Sequence, residues 1–266
     1  MTSPIRRITE ANRVSWNLIA PKRHGEPAEF FKNGGVALED FERDLAGDVR
    51  NKRVLQLASS CGDQVLSWAS LGAEAIGIDV SDVAIDMAKR KATEAGIAAD
   101  FRQADMFDLP ADLVDIDLIY LSWGAICWAP DLNEFARIVA SRLRPGGSLL
   151  MCDHHPIWEV LAVRGENHLA VAGDYFGRAV PRADTDDAKR PVGARGQAEA
   201  PPFSAFVWPS SDVIMALIGA GLQLVTFFEA SSPDIYDGLG DAGARLPAYY
   251  VVKATKPAPP HGPPTG

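Results

Sequence analysis

Two carboxylates sit where a nucleoside would be gripped. Asp79 closes the apolar run Ala75–Asp79, and Asp105 follows the run Ala99–Ala104. An acid at the tip of a parallel strand faces the crevice at the carboxyl edge of the sheet, where it can accept hydrogen bonds from two ribose hydroxyls. The second acid, at the mouth of the same crevice, can accept the amino proton of adenine, while Met106 packs against the base and its N–H meets a ring nitrogen. Before both acids lies a loop of small residues, Leu57-Ala58-Ser59-Ser60-Cys61-Gly62-Asp63-Gln64. Asp79 follows Gly62 at close to the spacing of about 20 residues expected between a nucleotide-binding loop and its ribose acid. A dinucleotide pyrophosphate demands G-x-G-x-x-G, because side chains bar close approach to the phosphates. The loop departs from that pattern at Ala58 and Ser60, which favours a cofactor without phosphates over NAD or FAD. Plainer readings stay open: any strand-to-helix turn uses small residues, and Asp105 can simply cap the turn before Leu109-Pro110.

Further candidates lie at the ends of the next strands. Ser122 and Trp123 follow the apolar run Ile116–Ser122, at the switch region of such a sheet, and can line the reactive end of the cofactor. Trp123, Trp128 and Trp158 could build an aromatic wall, or could be core and lid anchors. Asp153-His154-His155-Pro156 places two imidazoles at a strand end. An unperturbed imidazole titrates near pH 6.5, so His155 first, and His154 second, are the candidate proton acceptors; the alternative is that they orient the loop. Adjacent strand residues point to opposite sides and no further ligand cluster is evident, so no metal site is expected. His24, His168 and His261 read as solvated residues.

The elements that must position these groups alternate regularly. Strands are predicted at Arg53–Leu57, Ala75–Asp79, Ala99–Ala104, Ile116–Ser122 and Ser148–Asp153. Helices are predicted at Asp63–Leu71, from an N-cap at Ser81 to Ala95, and at Leu132–Leu143, ended by Arg144-Pro145-Gly146-Gly147. Strand–helix alternation implies an α/β, doubly wound, mostly parallel Rossmann-like sheet. Leu222–Glu229 and Ala248–Ala254 complete seven strands as an antiparallel edge hairpin, after a helix at Pro209–Gly219. Ahead of the core, Glu10–Leu18 and Leu38–Leu45 read as helices of a cap. The expected organisation is an N-terminal cap (1–50), a cofactor-binding core (51–155), a lid insertion (156–208), the C-terminal part of the core (209–256) and a disordered Pro/Gly-rich tail (257–266). Phe176, Phe203, Phe206 and Trp208 could make the lid's acceptor pocket apolar.

With 47% hydrophobic residues, the 266-residue chain can bury a sizeable core. Its net charge of −9 argues against nucleic acid as a partner and fits a small molecule. Three widely spaced cysteines, no apolar leader and no span of about 18 apolar residues suggest a cytoplasmic protein away from membranes; a monomer or homodimer is expected, with nothing in the sequence deciding between them.

From about Asn12 to Lys256 the sequence resembles the class I S-adenosylmethionine-dependent methyltransferases. The matching stretches are VLQLASSCGDQVLSWASLGAEAIGIDVSDVAIDMA, FRQADMFDLP and IDLIYLSWGAICWAPDLNEFARIVASRLRPGGSLL. Trp16-Asn17, Cys127-Trp128 and His155-Pro156 are similar to a bacterial small-molecule subgroup, some of it in secondary metabolism. The resemblance implies S-adenosyl-L-methionine as cofactor and S-adenosyl-L-homocysteine as product. It implies Asp79 with Val80 at the ribose, Asp105 and Met106 at adenine, and Gln56, Ala58, Ser59 and Gly62, with Ser122 and Trp123, about the methionine part. Trp16, Trp128, Trp158 and Phe176 would meet the acceptor. Gln56 stands where the family usually has an acid, and Ala58 and Ser60 where it has glycines. The implied reaction moves a methyl group to an O or N atom, or to carbon, of a small metabolite. Two rivals remain: a protein that uses the bound cofactor to assist a rearrangement or cyclisation, and an NAD-dependent oxidoreductase.

Overall fold

A computed structural model describes residues 3–163, 168–178, 182–183, 203–232, 235–236 and 239–259. Its centre is a seven-stranded sheet of β1 (Arg53–Leu57), β2 (Glu74–Asp79), β3 (Asp100–Gln103), β4 (Ile116–Ser122), β5 (Leu143–His154), β10 (Gln223–Ala230) and β11 (Tyr249–Thr255), in the order β10-β11-β5-β4-β1-β2-β3. β1 to β5 pair in parallel, and β11 runs antiparallel to both β5 and β10. The predicted seven strands and the antiparallel edge pair are therefore present. The order reverses between β1 and β4, which opens a crevice at their carboxyl ends.

A parallel sheet must be covered on both faces, and the strands show it. Leu55, Leu57, Ile119 and Leu121 face one core with α6 (Leu132–Arg142) and α8 (Ser210–Gly219). Val54, Leu118 and Tyr120 face the other, with α4 (Asp63–Ser70) and α5 (Asp82–Ala95). Ser81 caps α5 through the Ala84 N–H, as expected.

Before the sheet come α1 (Pro4–Ile19), the short α2 (Ala28–Lys32) and α3 (Asp40–Ala46). α2 fills a stretch between the two helices expected of the cap. Between β5 and β9 lie α7 (Pro156–Val160), the pair β6 (Leu161–Val163) and β7 (Leu169–Val171), and the pair β8 (Arg182–Ala183) and β9 (Ser204–Ala205). The expected turn at Arg144–Gly147 is instead the start of β5. Gly146 N–H donates to Lys256 O and Lys256 N–H to Gly147 O, so the residue after β11 pairs with this stretch, in which Gly146 takes left-handed backbone (φ 77°). His261 and most of the expected tail lie outside the described residues. No helix among those described is long and apolar enough to cross a membrane.

Candidate functional site

A cavity of about 280 Å³ opens at the carboxyl ends of β1, β2 and β4. Its floor is the β1–α4 loop, its far end the turn after β3, and its cover α1 with the segment that follows it.

The loop folds without the usual glycines. Ala58 and Ser60 adopt left-handed backbone (φ 52° and 49°), a conformation that L residues rarely take. Three hydrogen bonds hold them there. Ser59 N–H donates to Ile78 O (2.8 Å), Gly62 N–H to Ser59 O (2.9 Å), and Ser60 N–H to Asp79 Oδ2 (2.8 Å). Asp79 also accepts from Ser81 N–H at Oδ1 (2.8 Å). Burial pushes the Asp79 carboxyl up from its ordinary value, against the opposing pull of these amides. A carboxylate offers about four acceptor sites, so Asp79, which lines the cavity, has acceptor capacity beyond what these amides use.

Asp105 is fixed as firmly. Its Oδ1 accepts from Phe107 N–H (2.9 Å) and its Oδ2 from the Thr9 hydroxyl on α1. It therefore caps its turn and also faces the cavity. Asp63 at the start of α4 pairs with Lys91 of α5. The cavity thus holds three carboxylates, each with protein donors in place.

At the other end, Gln56 lies beneath the cavity between two of its lining residues. Its Nε2 donates to Ser122 Oγ (3.1 Å) and Gln64 Oε1 (3.4 Å). Gln56 Oε1 and Ser59 Oγ are buried and have no hydrogen-bond partner among the described residues. Orphaned acceptors of this kind are costly unless a ligand satisfies them. Across the mouth, Trp16, Trp128 and Phe203 form an aromatic triad with centroids 5.1–5.3 Å apart.

Of the residues singled out by sequence, Ala58, Ser59, Asp79, Val80, Asp105, Met106, Ser122, Trp123, Trp16 and Trp128 line this one cavity. Others lie elsewhere. Gly62 turns away from it: a Cβ there would meet the Phe101 ring at 2.7 Å and Ala88 at 2.9 Å, so its glycine serves helix–sheet packing and a positive φ. Trp158 packs edge-on against Tyr236 (5.0 Å). Phe176 is 68% exposed, beside Tyr175 and Arg178.

His155 is the main departure. It N-caps α7, its Nδ1 accepting from Ile157 N–H (3.2 Å), so Nε2 carries the proton and donates to Glu229 Oε1 (2.9 Å). Burial lowers its pKa, with Glu229 opposing. Both ring nitrogens serve the fold and neither faces the cavity. His154 stands nearer, its ring 5.6 Å from that of Trp123 and behind Gly124.

Sequence reasoning missed Thr9, Asn12, Arg23 and Gly25, which reach the cavity from the cap. It also missed Asp153. This buried carboxylate accepts from the N–H groups of Gly124, Ala125, Ile126 and His154 at 2.7–3.0 Å, and so shapes the wall after β4. Its pKa is pushed up to about 7 by burial, against the amides of Ile126, Gly124 and His154.

Residues 54–147 match the methyltransferase-domain family. That stretch, about a third of the chain, is similar to a methyltransferase domain. The domain is similar to the ubiquinone biosynthesis O-methyltransferase of Bordetella avium, 28% identical over 110 residues, 41% of this chain and 45% of that protein. It is similar also to the demethylmenaquinone methyltransferase of Thermus thermophilus, 32% identical over 118 residues, 42% and 52% of the two chains. The chain spans about half the length of the curated relatives it matches. A solved S-adenosylmethionine-dependent methyltransferase of Mesorhizobium loti shares the fold of the methyltransferase domain and its surroundings. The TM-score is 0.61 at 21% identity, covering 81% of this chain and 95% of that one.

Proposed function

We propose that this chain transfers a methyl group from S-adenosyl-L-methionine to an oxygen or nitrogen atom of a small molecule. The observation that carries the reading is the convergence of Asp79, Asp105 and the Ala58–Ser60 bend on one cavity at the β1/β4 switch. The residues fit the cofactor. Asp79 would accept from the ribose diol, and Asp105 with Met106 would hold adenine. The orphaned Gln56 Oε1 and Ser59 Oγ would receive donors of the aminoacyl end. Gln56 carries no charge, so a cationic ammonium is met by neutral oxygens.

When bound, the cofactor supplies a sulfonium-activated methyl carbon. The protein's own part is placement: the walls bring an acceptor atom to within about 3–3.5 Å on the displacement axis and exclude water. Trp16 and Trp128, backed by Phe203, give an apolar aromatic wall for a ring-bearing acceptor, and the names of the two relatives point to similar compounds. His155 is tied up in the fold, so the reading assigns it no proton transfer. His154, behind Trp123, is the nearer candidate where the acceptor must lose a proton.

Calorimetry with S-adenosylhomocysteine, followed by transfer of labelled methyl to a panel of phenols, quinols and amines, tests the reading. Micromolar binding and label transfer are expected. Absence of binding refutes it, and binding without transfer to any class of acceptor would favour the cofactor-assisted rearrangement.

A further inference from the structure

α5 carries one lysine that points inward. The side chain of Lys91 is 10% exposed and that of its partner Asp63 12%. A buried ion pair is expensive to form, and removing one partner strands the other's charge, so such a pair marks a position where geometry is being fixed. Here both members also hold main-chain atoms of the cap. Lys91 Nζ donates to His24 O (2.7 Å), and Asp63 Oδ2 accepts from Glu26 N–H (2.7 Å). Between these two anchors is Gly25, in left-handed backbone (φ 58°). A Cβ there would sit 2.0 Å from Asp63 Oδ2, so the segment is seated as closely as a chain can be.

Asp63 begins α4, directly after the β1 loop, and lines the cavity together with Arg23, Gly25 and Gln64. The adenosine half is marked by Asp79 and Asp105, across the cavity. The geometry points to the Lys91–Asp63 pair as the clamp that seats the segment His24–Glu26 as a wall for the cofactor's aminoacyl end. This rests on the cofactor reading given above. Lys91 and Asp63 are thus positioning residues for that end, acting through the segment they hold. With it seated, the Arg23 guanidinium lies over the Trp16 ring (5.5 Å), which joins the wall to the aromatic triad.

The test compares two ligands that share adenosine and differ in the aminoacyl group, S-adenosylhomocysteine and 5′-methylthioadenosine, by calorimetry. Gly25→Ala lifts the segment without touching the core, and Lys91→Met removes the clamp's cation. Both variants should weaken S-adenosylhomocysteine by about tenfold or more and leave 5′-methylthioadenosine within about twofold. Amide exchange at residues 23–26 should speed up in both. Equal weakening of the two ligands, or no weakening of either, overturns the inference. If Lys91→Met does not fold, Gly25→Ala alone decides. Wild-type protein that binds neither ligand would overturn the cofactor reading itself, and this control separates the two failures.

Discussion

Ala58 and Ser60 hold a backbone shape that glycine adopts without strain, so replacing them should reveal the strain. A non-glycine residue in left-handed backbone costs about 1–2 kcal/mol. Glycine gives back about 0.4–1 kcal/mol through its freer unfolded chain. The net gain expected for Ser60→Gly is about 0.5–1 kcal/mol. Its side chain is exposed, and its hydrogen bond to Asp79 runs through its backbone N–H. Ala58 differs because its methyl packs against the larger core. Removing a buried methyl-sized group loses up to about 0.8 kcal/mol, so Ala58→Gly should come out near zero. The order Ser60→Gly above Ala58→Gly is the specific expectation. Urea unfolding of the ligand-free protein measures it, and a thermal scan should show Ser60→Gly higher by about 1–4 °C. Destabilisation by Ser60→Gly, or a larger gain at Ala58, would refute the view that the bend stores strain at these two residues.

Asp79→Ala should weaken S-adenosylhomocysteine by about 10²–10⁴-fold, since two hydrogen bonds to a charged group are worth about 1.5–3 kcal/mol each; less than a threefold change by calorimetry would remove Asp79 from the ribose. His155→Asn keeps an N-cap for α7 and loses the Glu229 contact, so it should lower stability by about 0.5–1.5 kcal/mol and leave cofactor affinity and turnover per folded molecule unchanged. A selective fall in turnover would return His155 to the chemistry. Asp153→Asn bears on pH. The folded Asp153 pKa is about 7, and that of an unfolded aspartate is about 3.9. Between those values the folded state binds the proton more readily, so raising pH withdraws stability from wild type through this group. The stability of wild type relative to Asp153→Asn should therefore fall as pH rises from about 4 to about 7 and level off above it. A difference that rises over that range sinks the assignment.

The parts of the fold that could be read early are those with local causes. Arg53–Leu57 and Ile116–Ser122 are apolar runs bounded by turns, and they appear with those bounds. That Asp79 and Asp105 line one cavity was legible because position at a strand tip, plus sheet order, fixes where an acid faces. Direction beyond the strand end was not legible. His155 follows β5 by one residue, but the chain turns into α7 there and points the ring at Glu229, 74 residues away in sequence. Thr9 reaches Asp105 across 96 residues, and Asn12 reaches Ser204 across 192, contacts that leave no local pattern. The resemblance placed Gly62 at the methionine part, and its packing role was not legible for a related reason. A glycine in a loop signals close approach, and only the structure shows that what approaches is Phe101.

The carboxylates around the cavity do less for charge than for direction. Asp63 is neutralised by Lys91, Asp105 is held by Thr9 and a turn amide, and Asp79 by two backbone amides. Donors already in place fix each oxygen, so its remaining lone pairs are aimed before a ligand arrives and little ordering is left to occur on binding. The acid the family usually places on the first strand is absent, and the neutral Gln56 occupies its position with an unpartnered oxygen. Affinity for the cofactor then depends on orientation and on closure by the cap more than on attraction between opposite charges. Salt consequently becomes a discriminating variable. An affinity for S-adenosylmethionine that is nearly flat between low and high ionic strength fits such a cavity, whereas a steep loss would mean that long-range charge, screened over about 10 Å at 0.1 M, supplies the binding after all.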